Sequence, residues 1–344
     1  MRKLSESIFD IEDDTKDPIF RLDRSNISEN PYYNSEFVDG SNLSIGHLSS
    51  DKQCIFPLAK SAYFDRTPLT DFESVHGLFY GCQNLKDVVF RDMDFGKALF
   101  FISTFDDCRN LEKIEFNNCS NIRPRFLNMM FSQCRSMEHI DLSDFNFDRS
   151  ETAAWMFGGC MNLRSIDFGK SVWKKTPSIF MIHMFEFCVK LERLDLSNII
   201  GNKVKNRSDF KSGRNISYMF RCCDNLKSIK GIFNINANIV RSSDMFESCD
   251  ELEEVYLHVF PCNKNISKSS DLRINSLYLC DILPKISEES LKFLVENIVP
   301  AGILSEQNII LSESQSRIHS DPKFYDWMRE ELIKKHWKLI VHNL

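Results

Sequence analysis

The chain has 344 residues, of which 42% are hydrophobic and 27% charged, and this balance excludes a disordered or low-complexity protein. The net charge of −6 lies almost entirely in residues 1–40, which hold ten acidic and five basic residues, so the neutral remainder gives no reason to expect nucleic acid as a partner. Apolar runs stay far below the roughly 20 residues of a membrane span, and the first residues lack the apolar core of a secretion signal.

The first 75 residues are predicted to form two segments. Residues 1–45 are rich in charge, serine and asparagine, which predicts an acidic, mostly disordered arm. This arm is either a solubilising tail or contains a docking segment at Leu4–Ile11. Residues 46–75 hold short strand-like runs, such as Ala62–Phe64, but lack the repeat that follows, as terminal units of an array commonly do. We therefore predict an N-terminal cap over residues 46–75.

Residues 76–260 contain a sequence repeat with the pattern apolar-Phe-x-x-Cys-x-x-Leu-x-x-Ile-x-Phe/Leu. The seven copies are Leu78–Phe90, Thr104–Phe116, Met130–Leu142, Met156–Phe168, Met184–Leu196, Met219–Gly231 and Met245–Leu257. Their cysteines are spaced by 26, 26, 26, 28, 35 and 26 residues, a period that is typical of solenoids. The pattern predicts a solenoid of about seven coils.

Each repeat has two halves with different patterns. The half after the cysteine alternates apolar and polar residues, as in Leu111–Phe116, and predicts a short strand with one buried face. The half before it, as in Glu151–Phe157, has helix-compatible composition. Strand and short helix in each coil predict an α/β solenoid with a parallel sheet on one face.

Residues 261–344 follow a different pattern and are predicted to form an α+β C-terminal cap. Leu272–Leu279 indicates a last strand or strand pair, and Ser287 and Pro300 bound a well-marked helix. Asn308–Leu311 predicts a strand, and Asp321 precedes Pro322 at the start of a second helix. A final strand is predicted at Trp337–Val341.

The repeated cysteines allow three interpretations: buried free thiols, disulfides or a metal site. The flanking Phe and Leu residues point to the same interior, where cysteine behaves as a small buried hydrophobe. A Cys-x-x-Cys pair, which would suggest zinc, is absent from the sequence. We favour buried free thiols, and we predict that the methionine beside each repeat Phe is also in the core. No metal and no cofactor are expected.

The strands expose two rows of residues on the solenoid surface. One row is Val89, Glu115, Asp141, Asp167, Asp195, Lys230 and Tyr256, and the other is Asp87, Lys113, His139, Ser165, Arg193, Ser228 and Glu254. Four stacked carboxylates are unfavourable unless they are offset by bases, cap the turn that follows, or bind a ligand. The candidate ligand-binding residues are Glu115, His139, Asp141, Asp167, Arg193, Asp195, Lys230 and Tyr256.

A basic loop interrupts the array between the fifth and sixth cysteines. Residues Lys203–Arg214 hold five bases and one acid. The loop is either a contact for an anionic partner or a solvated surface loop, and composition favours the second interpretation.

The repeat resembles the BspA-like leucine-rich repeats of bacteria and their phages, most clearly at Met184–Ser197, over about residues 76–260. The closing His336–Val341 is similar to an ending common in gut Bacteroides proteins of this type, where Gly usually stands in place of His336. The first residues, Met1–Phe9, also resemble the starts of proteins from Bacteroides phages. The resemblance implies a leucine-rich-repeat scaffold that binds another molecule and carries no family-wide catalytic residue.

The sequence contains none of the common nucleotide-binding, hydrolase or zinc-protease motifs, so an enzyme is not expected. Two functions are consistent with the pattern. The first is a recognition module that binds a protein or glycan through its strand face. The second is a structural component of a larger assembly, such as a phage virion, attached through the arm. Either role would place the protein in the cytoplasm or on a virion.

Overall fold

A computed structural model describes residues 20–48, 53–170, 181–197, 218–236, 243–260, 276–278, 285–298, 300, 307–312 and 321–342. The docking segment at Leu4–Ile11 and the basic loop at Lys203–Arg214 lie outside the described residues. The strands that precede the C-terminal segment are β1 (Phe20–Leu22), β2 (Phe37–Asp39), β3 (Leu43–Ile45), β4 (Ser61–Asp65), β5 (Asp87–Arg91), β6 (Lys113–Asn117), β7 (His139–Asp141), β8 (Ser165–Asp167), β9 (Arg193–Asp195), β10 (Ser228–Asn236) and β11 (Glu254–Phe260).

All of these strands pair in parallel, in four groups. One sheet contains β2, β4, β5 and β6 in that order. A second contains β7 and β8, and a third contains β9, β10 and β11. The fourth is the pair of β1 and β3. Each successive repeat contributes one strand, so the chain winds through one coil per repeat. The predicted solenoid with parallel strands on one face is confirmed, and the α-helices that the structure describes lie in its C-terminal segment.

The structure differs from the predicted disordered arm in residues 20–45. Strands β1 to β3 lie in this segment, and β2 pairs with β4 of the following coil. Leu22, Val38 and Leu43 are completely buried. These strands have three residues each, too short for the alternation of apolar and polar residues to stand out in a charged sequence. The prediction of disorder is wrong for this part of the arm, and the parallel ladder starts before residue 76.

The predicted helix before each cysteine is replaced by a tight turn. Within the described residues 53–170 and 181–197 there is no α-helix. Residues five and one before six of the seven repeat cysteines instead take positive φ, as at Ser103 (51°) and Asp107 (62°), whereas a short 3-10 helix at Ser243–Phe246 precedes Cys249. The Phe105 N–H donates to the carbonyl of Met130 in the next coil at 2.8 Å. The backbone bonds of this segment therefore join neighbouring coils, which satisfies them as well as a helix would.

A column of phenylalanines forms the centre of the core. Its members are Phe79, Phe105, Phe131, Phe157, Phe185, Phe220 and Phe246, and neighbouring rings stack with centroids 5.3–5.7 Å apart. All seven side chains are at most 2% exposed. Burial of one such ring contributes about 1.5–3 kcal/mol, so the column sets the spacing of the coils and stabilises it.

The repeat cysteines are buried free thiols, as predicted. Six of them, Cys108, Cys134, Cys160, Cys188, Cys223 and Cys249, lie 2.9–3.3 Å from the carbonyl oxygen of the preceding coil's column phenylalanine, to which the S–H donates. The thiol thus links coils as well as filling the core. The neighbouring methionines, among them Met130 and Met156, are also completely buried.

The coils end their strands in two ways. Strands β4, β5 and β6 have five residues, and each is followed by a residue with positive φ: Arg66, Asp92 and Asn118. Strands β7, β8 and β9 have three residues and end in an aspartate. The change falls between β6 and β7, where the pairing of the described strands is also interrupted.

The C-terminal segment contains the elements predicted there. It comprises β12 (Ser276–Tyr278), α1 (Glu288–Asn297), β13 (Gln307–Ser312), α2 (Pro322–Lys334) and β14 (Trp337–His342). Strands β12, β13 and β14 pair in parallel, in that order. Ser287 and Asp321 cap the two helices with their side-chain oxygens. His336 has φ of +60° at the end of α2, the conformation that glycine adopts most easily.

Candidate functional site

The exposed row of the strand face is divided by the breaks in the sheet. Glu115 pairs with Val89, Asp141 with Asp167, and Asp195 with Lys230. Between Glu115 and Asp141, and between Asp167 and Asp195, the strands that carry them are not paired. The four carboxylates therefore do not form the continuous ladder that the spacing predicts.

Tyr256 is displaced from this row. The register between β10 and β11 shifts after Ile229, so that Ile232, and not Lys230, pairs with Tyr256. The Tyr256 hydroxyl lies 3.3 Å from Glu289 of α1, and its ring lies edge-on to Phe293 with centroids 5.1 Å apart. Tyr256 thus contacts the C-terminal segment, out of register with Lys230.

The aspartates of β7, β8 and β9 cap the turns that follow them. Asp141 accepts from the Ser143 N–H at 2.8 Å, and Asp167 accepts from the Gly169 N–H at 2.7 Å. Asp195 makes the same bond to Ser197 at 3.0 Å. The predicted capping role is confirmed. It uses the Oδ1 atom of each carboxylate, and it ends each strand after three residues because the backbone turns towards the side chain.

The break between β6 and β7 opens a groove of about 580 Å³. Its lining includes Glu115, His139, Asp141 and Asp167, four of the eight predicted site residues. Further lining residues are Lys113, Ile114, Phe116, Asn117, Ile140, Asp144, Phe145 and Ser165.

The bottom of the groove is apolar. Ile114 and Phe116 of β6 are half-buried, whereas Val88 and Phe90, at the same positions in β5, are at most 1% exposed. The difference arises because β6 is paired only with β5. An aromatic side chain also closes the inner end, since Phe116 packs edge-on against the buried Phe145 with centroids 5.0 Å apart. The break therefore exposes residues that the regular repeat would bury.

The rim of the groove is acidic. Glu115, Asp141, Asp144 and Asp167 contribute four carboxylates, and Lys113 is the lysine in the lining. Lys113 forms an ion pair with Glu115, which together with the Asn117 amide at 3.1 Å lowers the pKa of this carboxyl. His139 Nδ1 lies 2.7 Å from the Ser165 hydroxyl. An apolar floor with an acidic rim fits a cationic group that carries apolar surface.

Arg193, Asp195 and Lys230 lie on the neighbouring strands, outside the groove lining. Lys230 Nζ lies 3.9 Å from Asp195 Oδ2, and hydrogen bonds from Ser197 lower the pKa of Asp195. Countercharge and capping thus account for Asp195 without a ligand.

Sequence reasoning missed the apolar floor and Asp144. Ile114 and Phe116 match the buried positions of the repeat, and their exposure depends on a break that the periodicity does not encode. One signal was available: the position that holds Val89 and Glu115 is aspartate in the next three repeats, at Asp141, Asp167 and Asp195. An aspartate ends a strand by capping, so its first appearance marks the change of coil type.

A second polar cluster lies on the turn side of the coils. The carboxylate of Glu186 is 2% exposed and lies 2.6 Å from His183 Nδ1 and 3.4 Å from Arg221 Nη1. The His183 ring stacks between Trp155 and Tyr218, with centroids 4.3 and 4.8 Å away. The contacts are all within the protein, so this cluster is a structural ion pair that joins coils.

In the described part of the chain, no group of three or more His, Cys, Asp or Glu side chains is placed to hold a metal ion. None of the helices described is long and apolar enough to cross a membrane.

Comparisons with known proteins agree with the repeat architecture. Residues 74–183 match the BspA type leucine rich repeat region in six copies. A comparison with curated proteins gives no significant match. Among solved structures, a leucine-rich-repeat protein of Leptospira interrogans shares 13% identity, over 87% of this chain and 78% of that one, with a TM-score of 0.25.

Proposed function

Residues 74–183 form a BspA-type leucine-rich-repeat region, and we propose that the chain is a non-enzymatic interaction module that binds a protein or glycan through its strand face. The observation that carries the proposal is the groove between β6 and β7. It combines partly exposed apolar residues on its floor with an excess of carboxylates at its rim. In a coil of regular pairing the floor residues would be buried. Binding sites share this combination of an apolar cavity and a few convergent polar groups.

The proposal locates binding at Glu115, His139, Asp141 and Asp167, together with the floor beneath them. The array supports such a role because its coils pack in series, which holds groove residues from three different coils in fixed positions. Leucine-rich repeats generally mediate interactions with other proteins, in agreement with the match over residues 74–183.

The test is ligand capture by the tagged full chain, followed by mass spectrometry and a glycan array. Reversal of the aspartates to lysine would remove the turn caps as well as the charge. A combination of Glu115→Gln, Asp141→Asn and Asp167→Asn avoids this problem, because asparagine keeps the Oδ1 acceptor. We expect captured ligand to fall at least about tenfold, with a melting temperature close to that of the wild type.

The matched control is Asp195→Asn, which changes the same kind of capping residue outside the groove. It should capture ligand as the wild type does. Equal capture by the wild type and the triple variant would refute binding at the groove.

The alternative function, a component of a larger assembly such as a phage virion, relies on residues 1–45 as an attachment arm. Residues 20–45 pair with the solenoid and are at its N-terminal end. The part of the arm that is available for attachment reduces to residues 1–19, which lie outside the described residues. No contact in the described structure favours this function over the first.

A further inference from the structure

We propose that the partner bound at the groove is a polypeptide that inserts an arginine side chain between β6 and β7. The inference rests on the proposed function and names the chemical class of its partner. It follows from three properties of the groove: its apolar floor, the excess of carboxylates at its rim, and its position at a break in the sheet.

The floor fits the stem of a long side chain. Ile114 and Phe116 are half-buried, and the more deeply buried Ile140 and Phe145 continue the apolar surface. A flexible three-carbon stem covers such a surface while its charged end remains at the rim. A short cation, such as a metal ion, would leave this apolar surface exposed to water.

The rim fits a guanidinium group. Lys113 is already paired with Glu115, so the carboxylates of Asp141, Asp144 and Asp167 remain in excess over cations in the groove. Asp141 and Asp167 are side by side in the register and each uses Oδ1 for its turn cap. A planar guanidinium with five N–H donors bonds to two carboxylates at once, whereas a lysine ammonium acts as a point charge.

The same charges argue against a neutral glycan. A bound sugar would remove carboxylates from water without supplying a countercharge, and this costs free energy. An arginine relieves the repulsion between Asp141 and Asp167, which the like-charge pairing in the sheet creates. Charge complementarity therefore selects a basic polypeptide as the occupant.

The test uses the full chain and two synthetic peptides, Gly-Val-Arg-Val-Gly and the same peptide with citrulline in place of arginine. Citrulline keeps the stem and most of the donors but has no charge. Ligand-observed NMR titration at low salt measures both dissociation constants. We expect the arginine peptide to bind at least about tenfold more tightly, and its affinity to fall as salt is raised.

Two protein variants assign the binding to the groove. The double variant Asp141→Asn with Asp167→Asn keeps both turn caps and should lower the affinity for the arginine peptide by at least about tenfold. Asp195→Asn should change its affinity less than about twofold, because Asp195 is outside the lining. A circular dichroism melt of each variant shows whether the fold is retained.

The outcomes separate this inference from the proposed function. Equal binding of the citrulline and arginine peptides overturns the inference, as does saturation of the groove by a neutral oligosaccharide that displaces the arginine peptide. If the arginine peptide does not bind but capture by the full chain still depends on the groove carboxylates, the binding function stands and the proposal of an inserted arginine is wrong. If capture and peptide binding are both insensitive to the groove, both proposals fail.

Discussion

Cysteine recurs in every repeat because one small side chain meets two requirements, and six of the seven repeat cysteines meet both. It fits the closed space beside the phenylalanine column, and its S–H donates to a carbonyl of the preceding coil, as Cys160 does to Phe131 at 3.0 Å. Alanine would fill the space less well and donate nothing, and serine would place a more strongly polar hydroxyl in an apolar interior. Burial within the protein also keeps the thiol protonated, since it raises the pKa of Cys160 to about 12.

This raised pKa predicts a loss of stability at alkaline pH. In the unfolded chain a thiol ionises near its ordinary pKa of about 8.5, so the stabilisation is complete below that pH and decreases as pH rises towards the folded value. By pH 10, Cys160 alone should lower the free energy of unfolding by about 2 kcal/mol. Urea unfolding at pH 8 and pH 10 measures the change.

Cys160→Ala is the matched variant. At pH 8 it should be less stable than the wild type by about 1–3 kcal/mol, because a buried sulfur and its hydrogen bond are lost. Its further loss between pH 8 and pH 10 should be about 2 kcal/mol smaller than that of the wild type. An identical pH dependence for the two proteins would mean that the Cys160 thiol ionises as readily in the folded state.

Turn caps decide where strands β7, β8 and β9 end, and glycine makes one of these turns possible. Gly169 lies in the turn after β8 with φ of +60°. A Cβ atom on Gly169 would lie 2.8 Å from both the Cα atom and the carbonyl oxygen of Ser143. Gly77 has nearly the same φ, +62°, but its Cβ would approach nothing closer than 3.8 Å. A side chain at Gly77 would therefore meet backbone strain alone, whereas one at Gly169 would meet backbone strain and a steric clash.

Substitution of each glycine by alanine tests this separation. Gly77→Ala should lower the free energy of unfolding by about 1–2 kcal/mol, because a residue with a Cβ atom is strained in the left-handed conformation. Gly169→Ala should cost more, by at least about 1 kcal/mol, because the Ser143 backbone must move as well. Chemical denaturation of both variants measures the difference. Equal losses would show that the turn after β8 adjusts without cost.

The elements differ in how far the sequence predicts them. The strand after each cysteine and both C-terminal helices follow from short-range patterns and caps, such as Ser287 and Asp321, which act within a few residues. The segment before each cysteine forms a turn, although its apolar spacing is also compatible with a helix. Its hydrogen bonds run to the next coil, about 26 residues away, and local propensity carries no information about them.

The candidate site was predictable in composition but not in shape. Regular spacing correctly placed Asp141 beside Asp167, since the repeat fixes the register between equal coils. It did not indicate the bulge in β10, which shifts Tyr256 out of register with Lys230, or the contact of Tyr256 with α1. The groove arises where two coil types meet, so it depends on a mismatch between neighbours that the repeat does not show.

The two ends of the solenoid are closed by different means. At the C-terminal end α1 covers the last coil, where Ser290 accepts a hydrogen bond from the Val255 N–H at 3.2 Å. At the N-terminal end closure comes from residues 20–45, the segment predicted as disordered. Gly40 packs so closely on the ring of Phe64 that a Cβ atom would lie 2.1 Å from it. The end coil would otherwise expose this ring to water.

Truncation shows whether residues 20–45 are a part of the solenoid fold or only an attachment arm. Removal of residues 1–45 deletes β1 to β3, breaks the pairing of β2 with β4 and exposes Phe64, whereas removal of residues 1–19 leaves these contacts intact. We expect the longer deletion to lower the melting temperature by at least about 5 °C relative to the shorter one and to increase binding of a hydrophobic dye. Equal melting temperatures would mean that the solenoid closes at β4 without residues 20–45. Because the longer deletion disturbs the fold, only the shorter one can test residues 1–19 as an attachment arm.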